Sequence, residues 1–173
     1  MNLKDYSPKY INLILYILER ANDVNLGKKK LFKLLYFIDF DFYEKNERSI
    51  TGDKYIVQQY GPVPSLGETI LTDMVKGDVI QGVKAKSFGY EQKRFIPNEK
   101  ADLSVFTGEE LEHIDAVVNR FSNSNGSQIE VAAKMDMPYR AAKGSSKKYI
   151  DYDATFYRTP SRIVLEDEIT TKG

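Results

Sequence analysis

Residues 28–64 read KKKLFKLLYFIDFDFYEKNERSITGDKYIVQQYGPVP. Leu31, Leu34, Leu35, Ile38 and Phe42 recur at intervals of three and four, which places them on one helical face. Phe32, Tyr36, Phe37, Phe40 and Tyr43 cover most of the remaining surface. A helix apolar nearly all round belongs inside the fold, touched from several sides. Each such buried side chain contributes roughly 1.5–3 kcal/mol, so this element should dominate the core. Asp39 and Asp41 are the exceptions. Asp39 leans toward the aromatic side, between Tyr36 and Tyr43. A buried carboxylate needs donors. Tyrosine hydroxyls or backbone N–H groups would satisfy Asp39, and contact with a partner is the alternative.

After the helix, Ser49 to Asp53 reads as a turn and Lys54 to Gln59 as an extended run. Gly61-Pro62-Val63-Pro64 closes the stretch. Each proline fixes its own φ and biases the preceding residue away from the α region. The segment is therefore read as a rigid turn feeding a helix at Ser65.

Three segments of this stretch, in this order and spacing, resemble the Panacea domain, a family that includes phage-associated GepA-like and SocA-like proteins. The motif positions are Lys30, Leu31, Lys33, Leu34, Leu35 and Tyr36 in the helix, Gly52 in the turn, then Tyr60, Gly61, Pro62 and Val63. A later Pro138-Tyr139 pair, after a long helix and a capped short one, extends the resemblance to roughly residues 7–142. Two positions depart from the family pattern. Tyr139 stands where the family commonly has Trp, and Lys134 where it commonly has His. Chemistry needing an imidazole there would be lost. The resemblance implies a non-enzymatic antitoxin that neutralises a toxin encoded beside it, with no cofactor.

Bulk properties bound the rest. The chain has 173 residues, the size of one domain, and 42% hydrophobic residues, enough for a core. Lys and Arg number 25 and Asp and Glu 25. That balance disfavours a general nucleic-acid or anionic-membrane binder, which would carry a basic excess. With no cysteine there is no disulfide framework, thiolate metal site or thiol nucleophile, which fits a cytoplasmic setting. The apolar run from Ile11 to Leu18 is interrupted by Asn12 and Tyr16 and is not read as a signal peptide. No run approaches the length of a membrane span.

Elsewhere, helix signals are frequent. Ser7 and Pro8 open a first helix whose buried stripe is Ile11, Ile14, Leu15, Leu18 and Ala21, ended by Asn22-Asp23. Asn25 is expected to cap the central helix. Lys28, Lys29 and Lys30 occupy its first turn, against the macrodipole. They are read as solvated residues, with functional use as the alternative. Capping-box patterns at Ser65–Glu68, Thr107–Glu110 and Ser127–Glu130 predict three further helix starts. The last of these helices runs to about Ala133, and Pro138 is expected to end the element. Val79–Lys84 and Gln92–Pro97 predict a hairpin about Phe88-Gly89-Tyr90, joined or not by the Lys54–Gln59 strand. Tyr149, Ile150, Tyr152, Phe156 and Tyr157 could pack back on the core, and the residues after Leu165 are expected to fray. The expectation is an α+β, mostly helical single domain around a buried central helix, spanning residues 1–150, with a tail over 151–173.

Catalytic constellations are sparse. His113 is the single histidine and reads as a surface or boundary residue. Asp151 and Asp153 are a weak oxygen-ligand pair. There is no phosphate-binding glycine loop and no nucleophile elbow. A winged-helix-like DNA-binding regulator is the main competitor, because residues 76–100 hold Lys76, Lys84, Lys86, Lys93, Arg94 and Lys100 against Asp78, Glu91 and Glu99. The candidate major-groove helix, Ser65–Lys76, carries a net negative charge, so nucleic acid is disfavoured. An adaptor delivering a partner to a protease is a third reading. For an antitoxin, Tyr60, Tyr139, Arg140 and Asp39 are the candidate partner-binding residues, with a cognate protein toxin as partner and no membrane. Lys33, Leu34, Leu35, Tyr36, Gly61, Pro62 and Val63 match the motif and read as architecture. Homo-oligomerisation stays open.

Overall fold

The computed structural model describes residues 1–21, 23, 26–87 and 89–159. In chain order the elements are α1 (Pro8–Arg20), α2 (Lys28–Asn46), β1 (Tyr55–Gln58), β2 (Gly61–Pro64), α3 (Gly67–Lys76), β3 (Ile80–Ser87), β4 (Tyr90–Pro97), α4 (Gly108–Arg120), α5 (Gly126–Met135) and α6 (Met137–Gly144). Short 3-10 turns lie at Leu3–Asp5, Leu103–Val105 and Tyr152–Tyr157. The architecture is α+β, mainly helical.

α2 is the core, as its all-round apolarity requires. Leu31, Leu34, Leu35, Tyr36, Ile38 and Phe40 are wholly inaccessible. The helix packs against β2, α4, α5 and the Tyr152–Tyr157 turn. Its N-cap is Gly27, with no side-chain cap bond; the expected cap, Asn25, lies outside the described residues, as does Asn22. The lysines of its first turn are not simply solvated. Lys28 pairs with Glu68, Lys29 with Glu130 at 2.8 Å, and buried Lys30 with Asp23 at 3.3 Å.

The sheets depart from expectation at one point and decide an open alternative at another. First, Gly61–Pro64 is a strand rather than a rigid turn, antiparallel to β1 with Gln58 opposite Gly61, Val57 opposite Pro62 and Tyr55 opposite Pro64. The prolines sit two apart, so both missing N–H groups fall on the side facing away from β1, and β2 is an edge strand where proline is tolerated. Second, β3–β4 stays a separate two-stranded sheet and does not join β1. The free edge of β1 is covered by the chain after α6: Val57 N–H donates to the Lys148 carbonyl and Ile150 N–H to the Tyr55 carbonyl, both at 2.9 Å.

Two helix starts moved from the expected caps. At α3 the N-cap is Leu66 and Ser65 makes no cap bond. The Ser65 hydroxyl donates instead to Asp53 Oδ1 at 2.8 Å, and Asp53 Oδ2 accepts the Leu66 N–H at 3.0 Å. At α5 the reciprocal box is Asn125 with Gln128, so Ser127 lies inside the first turn. Pro138 lies in the first turn of α6, directly after Met137, rather than ending α5; lacking an N–H, it suits that place. The Thr107 cap at α4 forms as expected, its hydroxyl accepting the Glu110 N–H at 3.2 Å.

The chain beyond α6 returns to the core. Tyr152 stacks on Phe40 with ring centres 4.2 Å apart, and Ile150 is buried. Tyr149, Phe156 and Tyr157 keep large exposed fractions. Residues after Leu165 lie outside those described.

Candidate functional site

The motif segments of α2, the β1–β2 hairpin and α5–α6 converge on one junction. Lys33 Nζ donates to the Pro62 carbonyl at 2.9 Å, tying α2 to β2. The Tyr36 hydroxyl donates to Asp136 Oδ2 at 2.7 Å, tying α2 to the N-cap of α6. The Tyr139 hydroxyl donates to the Gln58 carbonyl at 2.8 Å, tying α6 to the mouth of the hairpin. Gly61 adopts φ 98°, in the left-handed region. A Cβ there would meet Lys33 Cε at 3.0 Å and Lys134 Cγ at 3.4 Å. The glycine is therefore needed both for the backbone and for the close approach of the lysine stems.

Lys33 is only 2% exposed. Burial pulls its pKa down to about 8; Glu130 opposes that shift, while Lys29 and Lys134 add to it. Asp39 is wholly buried, and its four acceptor positions are filled: Oδ1 by the N–H groups of Ile50 and Thr51 at 2.9 Å, Oδ2 by the Tyr55 hydroxyl at 2.7 Å and by the Thr51 hydroxyl. Burial raises its pKa to about 6 against these bonds. Tyrosine hydroxyl and backbone donors thus hold Asp39, one of the two readings its sequence position allowed.

A second buried cluster had no counterpart in the sequence reading. Arg158 donates to Asp41 Oδ1 at 2.8 Å, to Glu44 Oε2 at 2.8 Å, and twice to Asp136. Burial works against its charge, but Asp41 and Asp136 outweigh that and raise its pKa. Arg120 donates to the other oxygen of Asp41. Arg158 is hidden in the sequence because two of its three partners, Asp41 and Glu44, are over a hundred residues away on α2; those paired acids on an apolar helix are the available signal that a cation must reach them.

His113 is 8% exposed, more buried than a surface position. Its Nε2 bonds the Ile38 carbonyl at 2.9 Å, its ring stands edge-on to Phe42, and burial lowers its pKa. Among the described residues no group of His, Cys, Asp or Glu is arranged to hold a metal ion, and no helix is long and apolar enough to cross a membrane.

The model of the family "Antitoxin SocA-like, Panacea domain" matches residues 31–137, more than half of the chain. The chain is a Panacea-domain protein. No curated protein and no solved structure gave a significant match.

Seen in the Panacea domain, the motif is a set of ties between segments. Leu34, Leu35 and Tyr36 are wholly buried, Lys33, Gly61 and Pro62 are buried, and Val63 is half-buried. The candidate contact residues separate. Tyr60, at the hairpin tip, is 58% exposed, with Lys29 Nζ 5.3 Å from its ring centre. Arg140, on α6, is exposed. Asp39 and Tyr139, by contrast, are buried, at 0% and 1% exposure. Their polar atoms are used up inside the Panacea domain, Asp39 by four donors and the Tyr139 hydroxyl by the Gln58 carbonyl. The face outside the junction adds residues the sequence reading did not single out: Val131 and Met135 on α5, 57% and 70% exposed, and the cations Lys134 and Lys143.

The connection from α2 to α3 contains the β1–β2 hairpin, unlike the short turn of a helix-turn-helix pair. Glu68 of α3 pairs with Lys28, and Asp73 accepts from the Tyr6 hydroxyl at 2.6 Å, so this helix is tied by its acids to neighbouring elements.

Proposed function

We propose that this Panacea-domain protein is an antitoxin that neutralises a protein toxin by binding it directly, without catalysis, and that the contact face is the outer side of the motif junction, carrying Tyr60 and Arg140. Membership of an antitoxin family is the observation that carries this reading. Exposure supports the choice of face: a large aromatic and an arginine stand out there over a rigidly tied base. Such side chains dominate interface energies when a partner desolvates them. Mechanistically, the antitoxin covers the toxin's working surface or holds it in an inactive shape.

The test is co-purification. The protein encoded by the adjacent open reading frame is expressed with an affinity tag, alone and together with this chain. The reading requires that the two elute together from the affinity column and from size exclusion. A neighbour that elutes alone, with this chain folded and in excess, overturns it.

A further inference from the structure

A cleft between the end of α5 and the outer face of α6 is lined by Lys134, Met135, Tyr139, Arg140, Lys143 and Gly144. Three of these carry positive charge and none is a carboxylate. In a chain whose charges cancel overall, the concentration is local. It continues in sequence: between Asp136 and Asp151 the chain holds Arg140, Lys143, Lys147 and Lys148 and no acid.

The cations are weakly committed within the fold. Among the described residues Arg140 makes no ion pair, and Lys143 has a ring contact alone, its Nζ 5.9 Å from the centre of Tyr139. Lys134 reaches Glu130 at 3.8 Å, a half-exposed pair of small value. Beside them, Met135 and Val131 stand one helical turn apart on α5 and are both mainly exposed. Tyr60 borders the same region, because Gly61 beside it packs on the stem of Lys134.

We infer that this cleft, with Val131 and Met135 at its edge, is the docking site for an acidic segment of the partner protein, one carrying Asp or Glu side chains around an apolar anchor. The inference rests on the antitoxin reading and names the chemistry of its partner. Charge complementarity sets the carboxylates against Lys134, Arg140 and Lys143, and the anchor covers Met135 and Val131. The two exposed aliphatic side chains favour a protein over nucleic acid, since a phosphate backbone has no use for them. Steering by these charges would speed encounter and make it sensitive to ionic strength.

The experiment uses the full chain and the protein encoded by the adjacent open reading frame. Affinity is measured at low and high salt for the parent, for Lys134→Glu/Arg140→Glu/Lys143→Glu, and for Met135→Asp. The melting midpoint of each variant checks folding, and a short single-stranded oligonucleotide serves as a second probe. The expected result is a complex weakened by salt, and a loss of about tenfold or more in each variant with the midpoint unchanged. If the parent forms the complex and both variants bind as tightly, the docking site is wrong and the antitoxin reading stands. If the parent forms no complex, the antitoxin reading itself fails, and the inference with it. Oligonucleotide binding that the charge reversal abolishes, with the protein complex untouched, would reassign the cleft to nucleic acid. Should the triple variant melt early, Arg140→Ala/Lys143→Ala, at two exposed positions, decides the charge question.

Discussion

Arg158 grips Asp136 with two parallel bonds, Nε to Oδ1 at 3.0 Å and Nη2 to Oδ2 at 2.6 Å. Asp136 belongs to the stretch matched by the family and Arg158 does not. The segment after α6 is thus fastened to the motif junction by a bidentate ion pair, the strongest geometry available to the two groups. The same guanidinium also holds Asp41 and Glu44, and only 4% of its side chain is exposed.

Replacing Arg158 with Ala should therefore be among the most damaging single changes in the protein. It leaves three carboxylates facing one another without their shared cation. The expected loss is about 3–5 kcal/mol, the range for breaking a buried pair from one side, read as a drop in the urea midpoint. A midpoint equal to that of the parent would mean that the segment ending at Arg158 does not hold the core.

Lys33 gives a pH dependence of known sign. Its folded pKa, about 8, lies below its ordinary value of 10.5. Between those values the folded chain binds fewer protons than the unfolded chain, so stability rises as pH increases through that window. The gain available is about 3 kcal/mol at most. Above about pH 9, ionisation of unfolded tyrosines opposes and then reverses the trend, because burial holds hydroxyls such as those of Tyr10, Tyr36 and Tyr55 protonated in the fold. Lys33→Met keeps the apolar stem and deletes the buried charge. Its urea midpoint should exceed that of the parent at neutral pH and lack the parent's rise between pH 8 and 9. A parent whose midpoint falls steadily across that interval would contradict the assignment.

The central helix can be tested by a cavity. Leu35 is wholly buried. Leu35→Ala should cost about 2–5 kcal/mol, the range for such truncations in a close-packed core. Thermal or denaturant unfolding measures it, and a variant as stable as the parent would remove α2 from the centre of the fold.

What the sequence discloses follows from which interactions are local. The burial of α2 was legible because apolar side chains on every face leave no other place for a helix. The donors around Asp39 were legible in kind, since a carboxylate among aromatics can be satisfied in few ways. The strand at Gly61–Pro64 was not. Two prolines read as a turn unless one knows that the strand lies at an edge, with the missing N–H groups pointing outward. The cap at α3 shifted because Asp53, far from a cap in sequence, outcompeted the local pattern, while at α5 a neighbouring local box, Asn125 with Gln128, took the place of the Ser127 pattern. The exposure of Tyr60 was legible because the Gly-Pro that follows it sets it at a tip. Tyr139 could not be told from an exposed aromatic, since its burial depends on the Gln58 carbonyl reaching it from another element.

The most direct test of the account is rescue of growth. The adjacent open reading frame is expressed under tight control alone, with the parent chain, and with Tyr60→Ala/Arg140→Ala, whose melting midpoint is compared with the parent's. The account predicts that the neighbour arrests growth, that the parent restores it, and that the double variant fails to do so while melting at the parent's temperature, since both side chains stand outside the core. A harmless neighbour, or full rescue by the double variant, would contradict it.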